Sequence, residues 1–186
     1  MNLDQLFSLL EAPRMIDPHR RFGDSVNPHW EPTDHNDRAH LEAMKKTGFW
    51  GEQGAGCIFL ARDTGRLLLA HRSRKVEQPG TWGTWGGAID KGEDPREAAR
   101  REAMEETGQK DAGLALEPLF VFQSGEFRYS NYLAIVAHEF KPVLGWETQG
   151  YRWCEYGDWP HPLHFGLKAV LNDPQSVATI QRVIGR

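Results

Sequence analysis

Cysteine is nearly absent from this chain. Two residues, Cys57 and Cys154, among 186 cannot build the disulfide framework of a small secreted domain, and they lack the spacing of a zinc site. Both sit in apolar, strand-like stretches, which suits reduced core residues and a cytoplasmic location. Long apolar runs are missing as well: residues 132–137, among the longest, fall far short of a bilayer span. The first ten residues contain Asp4 and no basic stretch, so they do not read as a secretory signal. No basic block stands out either. With 22 Lys and Arg against 26 Asp and Glu, the net charge is −4, which argues against broad nucleic-acid binding. Internal repeats and low-complexity tracts are also lacking. What remains is an ordinary globular balance, 39% hydrophobic and 26% charged, in a length that fits one core and a short accessory segment.

The order of elements follows from periodicity and turn chemistry. Leu3, Leu6, Phe7 and Leu10 recur at helical spacing before Pro13. A polar stretch with Pro18, Pro28 and two histidines follows, then a second helix capped by Thr33 or Asp34 and running to about Lys46. Residues 1–50 thus read as a helical and irregular N-terminal extension, and residues 51–186 as the main domain. His19, His29, His35 and His40 fit no usual ligand spacing and read as solvated surface. Past Gly51 the pattern changes. Residues 55–61 and 66–70 are apolar around the turn Arg62-Asp63-Thr64-Gly65, a β-hairpin. Residues 80–87 alternate glycine with Trp82 and Trp85, an irregular strand or loop where backbone must approach something closely. A helix over 94–107, strands over 119–123, 127–137 and 151–154, and closing helices over 161–171 and 175–184 complete an α/β or α+β arrangement.

The helix over 94–107 is sharply bounded. Asp94 can accept from the free amides of the first turn, Pro95 suits the first helical position, Glu97 completes a capping box, and Gly108 ends the helix. At about 100° per residue, Glu102, Glu105 and Glu106 fall within roughly a 100° arc beside small residues. Carboxylates at these spacings repel unless a cation neutralises them. Arg101 can pair with Glu97 and Glu105 along its own edge. Hard oxygen ligands at this density suit Mg²⁺, with Mn²⁺ as a substitute. A merely solvated acidic face is the alternative, and this helix by itself does not separate the two.

The residues just before the helix do. Gly87, Glu93, Arg101, Glu102, Glu105, Glu106 and Gly108 stand at the spacings G-x5-E-x7-R-E-U-x-E-E-x-G-U, where U is a bulky aliphatic. From average residue frequencies, chance would give such a match about once in a million chains of this length. The segment resembles the Nudix box. Two positions depart from it: Ala103 is a small aliphatic, and Gln109 replaces the last one. Both serve packing in that family. The approach through Leu67-Leu68-Leu69-Ala70-His71-Arg72 and residues 80–87, and the downstream Glu147-Thr148-Gln149-Gly150-Tyr151-Arg152-Trp153, are also similar to Nudix proteins. The likeness covers about residues 52–170.

The resemblance implies a Nudix-type α/β/α sandwich with a mixed β-sheet. It implies that Glu102, Glu105 and Glu106, with the carbonyl of Gly86, bind Mg²⁺, while Gly87, Glu93 and Arg101 support the loop and orient the acids. It implies a pyrophosphohydrolase that attacks a nucleoside diphosphate linked to another group, with Glu102 or Glu147 as the base. Glu106 belongs to the same catalytic set. Arg72 and Arg74, after a strand, are candidates for substrate phosphates, and Trp82, Trp85, Phe127, Tyr129 and Tyr132 could stack a base or fill the core. The proline that marks ADP-ribose hydrolases is missing from residues 122–125, and the signature of NADH-cleaving members is absent. The expected substrate is therefore a nucleoside triphosphate or a modified one such as an oxidised purine. The alternatives are ADP-ribose or a dinucleoside polyphosphate, the 5′ end of RNA, and, in another class, a non-catalytic nucleotide-sensing module. The expected partner is a small nucleotide, with no membrane and with a homodimer compatible.

Overall fold

The computed structural model describes residues 42, 43, 45, 46, 51–110 and 114–185. The expected helix near Leu3, the polar arm and its histidines lie outside the described residues. Of the second expected helix, residues 42, 43, 45 and 46 are helical, and Lys46 pairs with Glu126 at 2.7 Å on an exposed surface.

The sheet is organised around one strand. β1 (Gln53–Ala61) is buried at every position after its first, because it carries small and apolar side chains on both faces. On one edge it runs parallel to β6 (Phe127–Val136), from Gln53 opposite Arg128 to Ala61 opposite Val136. Its other edge is shared. The C-terminal half pairs with β2 (Leu67–Arg72) through Phe59 and Leu60, and the N-terminal half pairs with β4 (Trp85–Ala88) from Gly54 to Cys57. β2 continues beyond that junction to pair with β3 (Trp82–Gly83) and, on its far side, with β7 (Thr148–Cys154). β5 (Ala115–Ser124) adds antiparallel to β6. The result is a seven-stranded mixed sheet that parts where β1 changes partner. The functional residues gather at that parting.

Helices cover both faces, as a sandwich requires. α1 (Pro95–Thr107) lies on the face that carries Ala55, Cys57, Phe59, Trp85 and Ala134. Its contact residues Ala98, Ala99 and Ala103 are fully buried, and their small size lets the helix axis come close to β1 and β4. α2 (Phe165–Asn172) and α3 (Pro174–Ile184) cover the opposite face, where Leu167, Val170 and Ile180 meet Ile58, Leu60, Leu69 and Leu133. Truncating one of these buried leucines to alanine removes about 2–5 kcal/mol. None of the described helices is long and apolar enough to cross a membrane.

The boundaries of α1 follow the sequence. Asp94 accepts from the amide of Arg96 at 2.8 Å, and Gly108, at φ 70°, donates to the carbonyl of Met104. Glu97 does not close a capping box; its carboxylate bonds Arg100 at 2.5 Å. Other boundaries moved. β5 begins at Ala115 rather than 119 because Pro118, which reads as a breaker, sits at an edge-strand irregularity where no ladder bond is needed. β7 begins at Thr148, with Gly150 accommodated opposite His71. The helix expected from 161 begins at Phe165, since Pro162 and His164 instead bond the backbone of Trp82 at 2.9 and 2.8 Å. Of the two readings for residues 80–87, irregular strand or loop, the structure shows the first: two short strands broken at Thr84.

Candidate active site

α1 rests on β1 and β4, so its acids reach the backbone of β4. Glu106 accepts from the amide of Gly86 at 2.8 Å. Glu102 packs on Gly87, where an added β-carbon would stand 2.9 Å from each carboxylate oxygen. Gly86 is more constrained: an added β-carbon would run into the backbone of Ala55 and Gly56 and would stand 2.6 Å from the Tyr129 hydroxyl. Glycine at both positions therefore reflects space, the side chain of an acid in one case and the neighbouring strand in the other.

A third acid arrives from the far side of the sheet's parting. Glu147 lies at the start of β7; its carbonyl accepts from the amide of Ser73 at 2.7 Å, and its carboxyl shares a hydrogen bond with that of Glu106. All three half-buried acids are raised, Glu102 and Glu106 partly by their acidic neighbours and Glu147 by burial. Burial is the largest cause for Glu102, opposed by Arg101 and reinforced by Glu105 and Glu147, and lifts its carboxyl to about 7. Burial, then Glu147 and Glu102, raise Glu106 against the Gly86 amide and Arg72. Burial raises Glu147 against Arg72. Three carboxyls held this way favour a proton or a cation among them.

Arg101 holds the acids from the outside. It grips Glu93 through Nε and Nη2 at 3.0 Å each, donates to the carbonyl of Ala88 at 3.1 Å, and meets Glu102 at 2.8 Å and Glu105 at 3.4 Å. The expected Glu97 pairing went to Arg100, because Arg101 is turned toward the loop before the helix. Its guanidinium holds Glu93 below the ordinary carboxylate range. Glu105 is 62% exposed and faces Arg101, so it stands apart from Glu102 and Glu106 although it shares their arc.

Among the described residues no three aspartate, glutamate, histidine or cysteine side chains are arranged so that they could hold a metal ion as they stand. Glu102, Glu106 and Glu147 are near enough to act on one another electrostatically, on the side of the site that is open. An open, all-oxygen set fits Mg²⁺ or Mn²⁺, which keep water and take phosphate oxygens in their remaining positions.

Arg72, at the end of β2, is brought to this cluster: Nε donates to the carbonyl of Glu77 at 2.8 Å, the stem passes over Gly83, and the charge bears on both Glu106 and Glu147. Arg74 is exposed on the following loop. The aromatics divide. Trp85 and Phe127 are core. Trp82 stacks on His71 with centroids 4.4 Å apart, and Tyr132 lies under the Arg96 guanidinium at 5.5 Å. Sequence reasoning missed His164, which caps α2 by accepting from Gly166 and is depressed to about 3 by burial and then by Arg72. A histidine followed by Phe-Gly after a proline-rich turn was the available signal for that cap.

The family model described as the NUDIX domain matches residues 52–173. The chain belongs to the Nudix family. The fold agrees with that membership, and the family's named hydrolases act on phosphoric anhydride bonds. A protein of Mycobacterium tuberculosis named as a candidate 8-oxo-dGTP diphosphatase is 30% identical over 132 residues, covering 65% of this chain and 61% of that protein. This Nudix chain thus spans about three fifths of the length of that relative. The MutT Nudix hydrolase structure from Burkholderia pseudomallei is 30% identical with a TM-score of 0.53, covering 67% of this chain and 98% of the other. The Nudix hydrolase RenU from M. smegmatis is 28% identical with a TM-score of 0.52, covering 73% and 85%.

Proposed function

We propose that this Nudix domain is a divalent-cation-dependent pyrophosphohydrolase acting on a nucleoside triphosphate or a modified one such as an oxidised purine nucleotide. The observation that carries the reading is the meeting of Glu102 and Glu106 with Glu147 over the Gly86–Gly87 backbone. Glu102, Glu106 and Glu147, with the Gly86 carbonyl, are the residues that would hold Mg²⁺ or Mn²⁺; Glu105, exposed and paired with Arg101, would join them only by leaving that pair. When bound, such a cation polarises phosphoryl oxygens and lowers the pKa of a bound water.

The chain's own residues divide the remaining work. The Gly86 amide orients Glu106. Arg101, itself fixed by Glu93, orients Glu102. Glu147 is the better candidate to accept the proton of the attacking water, because Arg101 already engages Oε1 of Glu102 at 2.8 Å. Arg72 offers its guanidinium to substrate phosphate beside Glu106 and Glu147; Arg74 extends that charge outward. Similarity to the M. tuberculosis protein supports the oxidised-purine choice, and the free, buried Cys57 and Cys154 support a cytoplasmic setting.

The deciding experiment incubates the protein with Mg²⁺ and dNTPs, oxidised dGTP, ADP-ribose, dinucleoside polyphosphates and 5′-triphosphorylated RNA, with Glu106→Gln beside it. Turnover of a nucleoside triphosphate, abolished in the variant, is the expected result. Turnover of ADP-ribose or RNA alone would replace the substrate. No turnover of any, in either protein, would move the chain to nucleotide sensing.

A further inference from the structure

Three glycines line up beneath one aromatic ring. Gly54 and Gly56 occupy alternate positions of β1, Gly86 is the β4 partner of Gly56, and Tyr129 is the β6 partner of Gly54. A β-carbon on Gly54 would stand 2.5 Å from Tyr129 Cδ2 and 2.8 Å from Cε2, and one on Gly86 would stand 2.6 Å from the phenol oxygen. On Gly56 it would collide with the same oxygen. The ring, from β6, therefore lies in a trench that runs across β1 and β4, and its hydroxyl ends beside Gly86. There it shares a hydrogen bond with Thr84, two residues earlier on the same chain segment.

We propose that Tyr129 is a positioning residue that fixes the Gly86 peptide, and through it Glu106, for cation binding; this rests on the hydrolase reading above. Gly86 has no side chain to hold it, and its amide is the hydrogen-bond partner that orients Glu106. A glycine peptide left to itself samples a wide range of conformations. The trench restricts it from below: the ring fills the space over the glycines, while the bond to Thr84 holds the hydroxyl against the strand. A buried hydroxyl needs a partner in any role; what marks Tyr129 out is that Gly54, Gly56 and Gly86 all lack the side chain that would displace its ring or its oxygen. Burial also keeps the phenol neutral, so its contribution is steric and directional rather than ionic.

The test compares wild type with Tyr129→Phe and Thr84→Val, using Mn²⁺ binding followed by the loss of the free-ion magnetic resonance signal, beside melting temperature and nucleotide turnover. Removing either half of the hydroxyl bond should weaken Mn²⁺ binding by about tenfold, in the range that outer-sphere partners usually contribute. The melting temperature should stay close to wild type, and high Mn²⁺ should restore kcat in both variants. Mn²⁺ affinity unchanged in both would overturn the proposal, as would a loss of kcat that excess Mn²⁺ does not recover. Should Tyr129→Phe melt far lower, Thr84→Val alone decides, since it leaves the ring in its trench. If wild type binds Mn²⁺ yet hydrolyses none of the nucleotides, the hydrolase reading falls, and the ratio of Mn²⁺ affinities still decides for or against Tyr129. A wild type that binds no Mn²⁺ overturns both.

Discussion

The carboxylate of Glu106 accepts a hydrogen bond from the amide of Gly86 at 2.8 Å, so an acid of the helix is tied directly to the backbone of the glycine strand. Around it the acids are raised, Glu106 by burial and then by Glu147 and Glu102, and Glu147 by burial, which favours a proton or a cation among them. Glu106→Gln keeps the shape and an acceptor for that amide but removes one charge. Turnover should fall by about 10²–10³-fold, the scale at which one electrostatic contributor to a reacting centre counts, while the cation-free protein melts no lower than wild type. A variant that retains a tenth of wild-type kcat would remove Glu106 from the machinery.

Adjacent glycines should respond differently to the same methyl group. At Gly87 the obstacle is the far end of the Glu102 side chain, which can move; at Gly86 it is the backbone of Ala55 and Gly56, which cannot. Gly87→Ala should therefore fold with a stability loss below about 1 kcal/mol and lose activity through a displaced Glu102. Gly86→Ala should lose about 2–3 kcal/mol or fail to fold, the range for overpacking a filled site. Denaturant unfolding of the two variants checks the order, and equal losses would contradict the assigned contacts.

Much of this arrangement was legible because α1 announces itself. Asp94, Pro95 and Gly108 set its ends by local chemistry, and the box acids sit at spacings that a helix converts into one face. Glu147 was legible only as a candidate, because its approach to Glu106 depends on where β1 changes partners, which no local pattern encodes. The same holds for Arg72. Arg101 was legible in part: the spacing offered Glu105, which it meets at 3.4 Å, and Glu97, which pairs with Arg100 because the loop before the helix draws Arg101 to Glu93 and the Ala88 carbonyl. The Tyr129 trench was hidden because its parts, Gly54, Gly56 and Gly86, belong to strands joined only by pairing.

His164 gives the fold a defined response to acid. Its Nδ1 accepts from the amide of Gly166 at 3.2 Å and so must be unprotonated there, and burial lowers its pKa from 6.5 to about 3. A depressed group contributes stability above its unfolded pKa and loses it as pH falls toward the folded one. Between pH 7 and 4.5 wild type should lose about 1–2 kcal/mol more than His164→Asn, which keeps a capping oxygen but does not titrate. Parallel losses in urea unfolding at the two pH values would rule this cap out as the source.

Cation binding should show in stability as well as in rate. An ion that binds the folded chain alone adds RT ln(1 + [L]/Kd), about 2.7 kcal/mol at a hundredfold excess over Kd. Mg²⁺ should raise the melting temperature of wild type relative to EDTA-treated protein, and should raise that of Glu106→Gln much less. An equal rise in both would place the ion elsewhere.

Arg101 makes the most demanding set of contacts in the site: two bonds to Glu93, one to a carbonyl and one to Glu102. A planar guanidinium can do this, and an ammonium on a flexible stem cannot serve the same directions. Arg101→Lys should therefore cost about 1–2 kcal/mol although the charge is kept, and Glu93→Gln should cost a similar amount by loosening the same grip. Because the two residues share those bonds, the losses should not add: the double variant should show a coupling of about 1 kcal/mol or more in a thermodynamic cycle. The same variants should lower kcat more than they raise KM, since Glu102 loses its orientation while the phosphate contacts of Arg72 are untouched. Additive stability losses, within about 0.3 kcal/mol, would mean that Arg101 and Glu93 act separately and that Glu102 is oriented by its packing on Gly87 alone.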